Sequence, residues 1–303
     1  MKENHMINWK FFSFFLTSLL FQKNTFHATQ IYSYTTIKQE PHITEIPYIT
    51  IWIHGTQLCL PYIWPSFFYV PQGLHAATNL TKTYHHRLIA EFLYETDPEQ
   101  FPLNHFYLFG WSGNLNFQAR KNAAEILLTE IKKLIAEYEK IYSKIPHLCV
   151  ITHSHGGNVV LNLAQLMKNN ELKIDQLILL ACPVQKETKH YIKSSIFKQV
   201  YSIYSHKDIL QIIDPQGIYN TFEQPIFSER VFDFNENVIQ FHLKINNKNL
   251  LHIEFLFQKC IQSLPKVIEI IECTKKQKNY TDSLLEVFYD TQKQECIIAR
   301  PTN

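Results

Sequence analysis

The sequence predicts an α/β protein built on a mostly parallel sheet with helices packed against it. Solid apolar runs of strand length recur along the chain, as parallel strands covered on both faces require. Between them lie segments with apolar residues at three- and four-residue spacing, the signature of helices laid on a sheet. Strand alternating with helix over this length means a layered α/β architecture. The 303 residues are enough for one large domain with a full-sized core.

The first strand is YITIWI at Tyr48–Ile53, stopping at His54-Gly55-Thr56, and the second is HFYLF at residues 105–109, stopping at Gly110-Trp111-Ser112-Gly113. An amphipathic helix follows, with Ala119, Ala123, Ile126, Leu127, Ile131, Leu134, Ile135 and Tyr138 on one face. Pro146 closes it, HLCVIT at 147–152 makes a third strand, and a helix runs from about 155 to 167. Further strands are expected at 176–181 (QLILLA), 199–204 (QVYSIY) and Val238–Ile245. In the last, Ile239, Phe241, Leu243 and Ile245 alternate with Gln240, His242 and Lys244, which predicts a half-exposed strand near a sheet edge.

Three segments differ in texture. Lys2 and Lys10 precede the apolar run 11–21 (FFSFFLTSLLF), and a polar stretch follows. That profile predicts a signal peptide or retained N-terminal anchor over residues 1–28, and so export or membrane association, against the plainer reading of an amphipathic or buried segment in a cytoplasmic protein; a full span needs about 20 apolar residues. Residues 57–104 are too long for an ordinary strand-to-helix loop, and 58–70 (LCLPYIWPSFFYV) are crowded with aromatics and prolines. They predict a cap or lid inserted after the first core strand, against the plainer reading of an excursion packed on the sheet. The domain proper is expected over 29–272, and 273–303 read as a C-terminal tail.

Composition excludes several functions. Hydrophobic residues at 46% and charged residues at 18% argue against wholesale disorder. A net charge of +2, without a basic-aromatic stripe, leaves no nucleic-acid footprint. The cysteines at 59, 149, 182, 260, 273 and 296 form no CxxC, so neither a zinc site nor a disulfide framework is expected; one bridge among Cys260, Cys273 and Cys296 stays open. Asn79-Leu80-Thr81 and Asn279-Tyr280-Thr281 match the glycosylation sequon, which matters only on a eukaryotic secretory route.

The sharpest chemical signal is Ile151-Thr152-His153-Ser154-His155-Gly156-Gly157. A buried strand runs into a serine, two glycines follow, and a helix begins at once, the context of a nucleophile elbow. Gly156 lets strand and helix approach, and the N–H of His155 opens the helix where an oxyanion would form. Alone, such a segment could be no more than a glycine-permitted helix start, and three features point beyond that. The loop after the first strand offers a second oxyanion donor at Thr56 or Gln57. Asp208 lies just past the fifth strand, with Asp214 as its rival. His252 follows the sixth strand by a short loop, with His206 and His242 as rivals. His153 and His155 point apart on a tight turn with no acidic or cysteine partners, so no metal site is read there.

The order Ser154, Asp208, His252, with His54-Gly55 upstream, resembles the lipase/esterase branch of the α/β-hydrolase superfamily over roughly residues 46–260. Phe109-Gly110-Trp111-Ser112-Gly113, before a helix holding Arg120 and Ala123, is similar to lipase-like members of that group. The resemblance implies an α/β-hydrolase fold in which Ser154 attacks a carbonyl, His252 shuttles the proton and Asp208 fixes the imidazole tautomer. His54, Trp111 and Ser112 are expected to line the substrate. No cofactor is implied, and the partner is a small-molecule or lipid ester. Thr152 departs from the family's usual glycine two positions before the serine. It supports the alternative of a catalytically inactive scaffold serving as a binding or membrane-associated interaction protein.

Overall fold

A computed structural model describes residues 47–57, 70–167, 172–213, 227–278 and 284–299, with backbone only for 276–278. The N-terminal segment 1–28, most of the aromatic run 58–70, Cys59, Asp214 and the sequon at Asn279 lie outside the described residues.

Among the described residues ten strands form one sheet: β1 (Tyr48–Ile53), β2 (Gly73–Ala76), β3 (Phe106–Gly110), β4 (His147–His153), β5 (Ile174–Leu180), β6 (Phe197–Tyr204), β7 (Val238–Ile245), β8 (Lys248–Asn249), β9 (Leu284–Asp290) and β10 (Glu295–Ala299). Their order is β10-β9-β7-β6-β5-β4-β1-β3-β2, and β8 pairs with β7. From β3 through β9 neighbours run parallel, while β2, β8 and β10 pair antiparallel. The sheet is therefore mixed but mostly parallel.

Helices cover both faces. On one, α1 (His85–Thr96) and α5 (Gln258–Lys278) supply Ile89, Leu93, Ile261 and Leu264 against Trp52, Leu108, Ile151 and Ile203. On the other, α2 (Phe117–Tyr142), α3 (Gly156–Leu161) and α4 (Leu163–Leu166) pack Leu127, Ile131, Val159 and Leu163 onto Ile51, Ile53, Phe109 and Leu179. Consecutive residues of β1 thus serve opposite cores, as strand alternation dictates. Both cores are continuous apolar clusters, which is why the parallel strands read as unbroken hydrophobic runs. Asn116 starts α2 by accepting Gln118 N–H at 2.8 Å and Ala119 N–H at 3.3 Å. No described helix is long and apolar enough to cross a membrane.

The structure corrects the sequence reading in four places. First, β7 is not an edge strand, because it lies between β6 and β9 and is almost wholly buried. Its polar residues misled because the chain satisfies some of them internally: Gln240 accepts Phe232 N–H at 2.6 Å and donates to Phe232 O at 2.9 Å. Second, residues 273–303 are not merely a tail, since α5 runs to Lys278 and β9 and β10 extend the sheet. Third, the described part of the expected cap, 70–104, lies on the sheet as edge strand β2 and core-facing helix α1. Fourth, Cys260, Cys273 and Cys296 are free thiols, so no late bridge forms.

Register places the site. Ile53 pairs with Phe109 and Thr152, His153 with Leu180, and Leu180 with Ile203, which pairs with Phe241. The carboxyl ends of six strands therefore line up, and the loops that leave them share one edge, the usual position for a site in an open α/β sheet.

Candidate active site

Ser154 sits where β4 turns into α3, with φ of 54°. A non-glycine residue in the left-handed region is strained by roughly 1–2 kcal/mol, and the surroundings hold it there. Its N–H donates to Leu180 O at 2.8 Å, tying the turn to β5, and its carbonyl accepts Gly157 N–H at 3.0 Å. The glycines around it are steric necessities. A Cβ on Gly156 would lie 2.6 Å from His54 O, and one on Gly55 would lie 2.7 Å from Ser154 Cβ. Thr152, the departure from the expected glycine, is fully buried within β4 and leans its hydroxyl on Ile178 O at 3.5 Å. The strand accommodates its bulk without losing the elbow.

Asp208 and His252 meet. His252 Nδ1–H donates to Asp208 Oδ2 at 2.8 Å, and the Asp208 side chain is fully buried. The other carboxylate oxygen accepts Gln211 N–H at 3.0 Å, so both oxygens are used. Arg230 holds the turn that carries Asp208, donating to Ser205 O, His206 O and Asp208 O at 3.2, 3.2 and 2.9 Å. With Nδ1 as donor, the Nε2 of His252 is left as the basic nitrogen.

His153 was not among the sequence candidates for the site. Its Nε2–H donates to the His252 carbonyl at 3.0 Å, and the two rings stand 4.7 Å apart. The residue preceding Ser154 therefore anchors the loop that carries His252. From sequence it registered only as half of a rejected metal pair.

The loop after β1 lies against the elbow, but its two candidate donors differ. Gln57 N–H is already committed to Gly113 O at 2.9 Å, which removes it as an oxyanion donor. Thr56 remains, and its hydroxyl is buried without a hydrogen bond. His155 precedes the first turn of α3, so its N–H stands outside the helical ladder.

The expected substrate-lining residues are partly scaffold. Trp111 N–H donates to His54 Nε2 at 3.1 Å, the Trp111 indole donates to His54 O at 2.8 Å, and His54 Nδ1–H donates to Gly55 O at 2.7 Å. His54 and Trp111 are both buried and lock the β1 and β3 loops together rather than presenting free groups to a ligand. Ser112 is half-buried and accepts Asn114 N–H at 3.4 Å.

Burial keeps this cluster of histidines neutral. It pulls His54 from its ordinary 6.5 to about 4, against the raising effect of its bonds to Gly55 and Trp111. His153 and His155 fall well below 6.5 through burial first, with His252 next for His153 and Arg120 next for His155. The unfolded chain protonates these sites near pH 6.5, whereas in the folded chain His54 resists until about pH 4 and His153 and His155 stay neutral well below 6.5. Stability is thus fully present above about pH 6.5 and falls as pH drops toward 4, by up to about 1.4 kcal/mol per pH unit for each such histidine. The urea midpoint should be clearly lower at about pH 5 than at about pH 7.5. A midpoint that stays level across that window would show that the histidines are not held neutral.

No protein-family model matches the chain, and none of the curated proteins matches it. Among solved structures it is similar to ESTFA in an Fe-lacking apo form, at 10% identity over 94% of this chain and 83% of that one, with a TM-score of 0.35. It is also similar to an esterase of Pyrobaculum calidifontis, at 10% identity over 81% of this chain and 67% of that one, with a TM-score of 0.30.

Proposed function

We propose that this chain is a serine hydrolase of the α/β-hydrolase type that cleaves carboxylic esters through an acyl-enzyme. The observation that carries the reading is the 2.8 Å bond from His252 to the buried Asp208, on the same sheet edge as a serine held at positive φ. In this mechanism Ser154 Oγ attacks the ester carbonyl while His252 Nε2 takes its proton. The oxyanion is met by the N–H of His155 and by Thr56. Collapse expels the alcohol, which receives the proton from His252, and Ser154 is left acylated. Water then attacks with His252 as base again, releasing the acid and restoring the serine.

The neutral, desolvated histidines around the elbow fit this chemistry, because only one imidazole at the site is left partly exposed to exchange protons. The substrate class is a small-molecule or lipid ester. The alternative, a catalytically inactive binding module, draws on Thr152 in place of the usual glycine, and lack of probe labelling at Ser154 would favour it.

A fluorophosphonate probe tests the reading on the full chain. Labelling at Ser154, found by peptide mapping and lost on heat denaturation, is expected. A folded protein that remains unlabelled under conditions where a known serine hydrolase reacts would overturn it.

A further inference from the structure

Away from the elbow, three adjacent strands present a second cluster of chemistry-bearing groups. Tyr204 of β6 pairs with His242 of β7, and His242 pairs with Glu286 of β9. His206 follows β6 and turns its ring onto His242, with centroids 4.1 Å apart at 80°. One ligand atom from each of His206, His242 and Glu286 falls within 4.8 Å of the others. His242 Nδ1 and Glu286 Oε1 are 3.7 Å apart.

The cluster is unfinished as it stands. His242 is 1% exposed, yet neither of its ring nitrogens makes a hydrogen bond. Asn249 lies beside it, but that pair falls short of hydrogen-bond geometry, and Asn249 Oδ1 is likewise buried without a hydrogen bond. Buried polar atoms left unsatisfied are uncommon and costly. Glu286 turns its second oxygen toward Lys244 at 3.7 Å, which orients the carboxylate and leaves Oε1 for the histidines.

We propose that His206, His242 and Glu286 form a binding site for a divalent transition-metal ion of the zinc type. Two imidazoles and one carboxylate are a recurrent ligand set for such ions, with the fourth position left open. Tetrahedral bonds of about 2.0–2.1 Å place ligand atoms roughly 3.4 Å apart. The His242–Glu286 spacing is already close to that, and the exposed His206 side chain can close the remainder by rotation. Such an ion would tie β6, β7 and β9 together two residues before Asp208. The proposal does not depend on the hydrolase reading.

Equilibrium dialysis of the full chain against zinc, after stripping with a chelator, tests it, with cobalt as a visible-absorption probe of coordination. One equivalent of zinc and the intense d–d bands of a four-coordinate cobalt site are expected. His206→Gln and Glu286→Gln change an exposed and a half-buried residue, so both should fold, as circular dichroism would show. Each is expected to weaken zinc binding about tenfold or more. Wild-type protein that takes up no zinc would overturn the proposal. So would undiminished zinc binding by either folded variant, because the ion would then reside on other histidines.

Discussion

Ser154→Ala should lower turnover of p-nitrophenyl esters by on the order of 10⁶ in kcat, with the fold intact. The substitution removes one oxygen from a side chain that is 5% exposed. It keeps the Cβ that already fits beside Gly55 and the backbone bonds to Leu180 and Gly157 that hold the elbow. Alanine at φ 54° is strained much as serine is, so a stability change of more than about 1 kcal/mol is not expected. Steady-state hydrolysis across acyl lengths, with thermal melting alongside, separates the outcomes. Activity that persists at the wild-type level in folded Ser154→Ala protein would remove the nucleophile from its assigned place. A profile that rises with acyl length in the wild type would add the lipid preference.

Asp208→Asn should cost about 10⁴ in kcat with little change in KM. The asparagine can still accept Gln211 N–H through its oxygen, and Arg230 still holds the backbone carbonyls of the turn. The amide NH₂ then faces His252 Nδ1 where Oδ2 stood, 2.8 Å away. A donor there stabilises the tautomer with its proton on Nε2, and that nitrogen can no longer act as a base toward Ser154. The defect is one of proton placement rather than of binding. Loss of substrate affinity with kcat preserved would mean that Asp208 shapes the pocket instead.

Much of the scaffold was legible because its signals are local. The strand runs around Ile51, Val150 and Leu179 are continuous apolar segments, and that continuity follows directly from burial on two faces. The elbow was legible because Ser154 needs small neighbours and Gly156 supplies one within two residues. The Asp208–His252 pair could be named from chain order, and the structure brings those two together. What escaped depends on partners distant in sequence. Gln240 and His242 looked solvent-facing because nothing nearby announces that Phe232 and β9 cover them. Leu285, Val287 and Tyr289 do alternate as a strand should, and the lysines around them drew attention away. Gln57 could not be set apart from Thr56 as a donor without knowing that Gly113 folds back onto it. The cluster of His206, His242 and Glu286 has no spacing to read, since the sheet alone assembles it.

Because β9 and β10 follow β7 in chain order, β7 is made before the strand that covers its outer edge. Ser154, Asp208 and His252 all precede residue 284, where β9 begins. On the ribosome, a chain can hold every one of them while β7 still lacks its outer neighbour. Until the β9–β10 hairpin emerges, β7 shows a row of unpaired N–H and C=O groups along an apolar strand, a template for pairing with other nascent chains. The β9–β10 hairpin thus acts as edge protection for β7, and a chain stopped before residue 284 would expose that edge while still holding Ser154, Asp208 and His252.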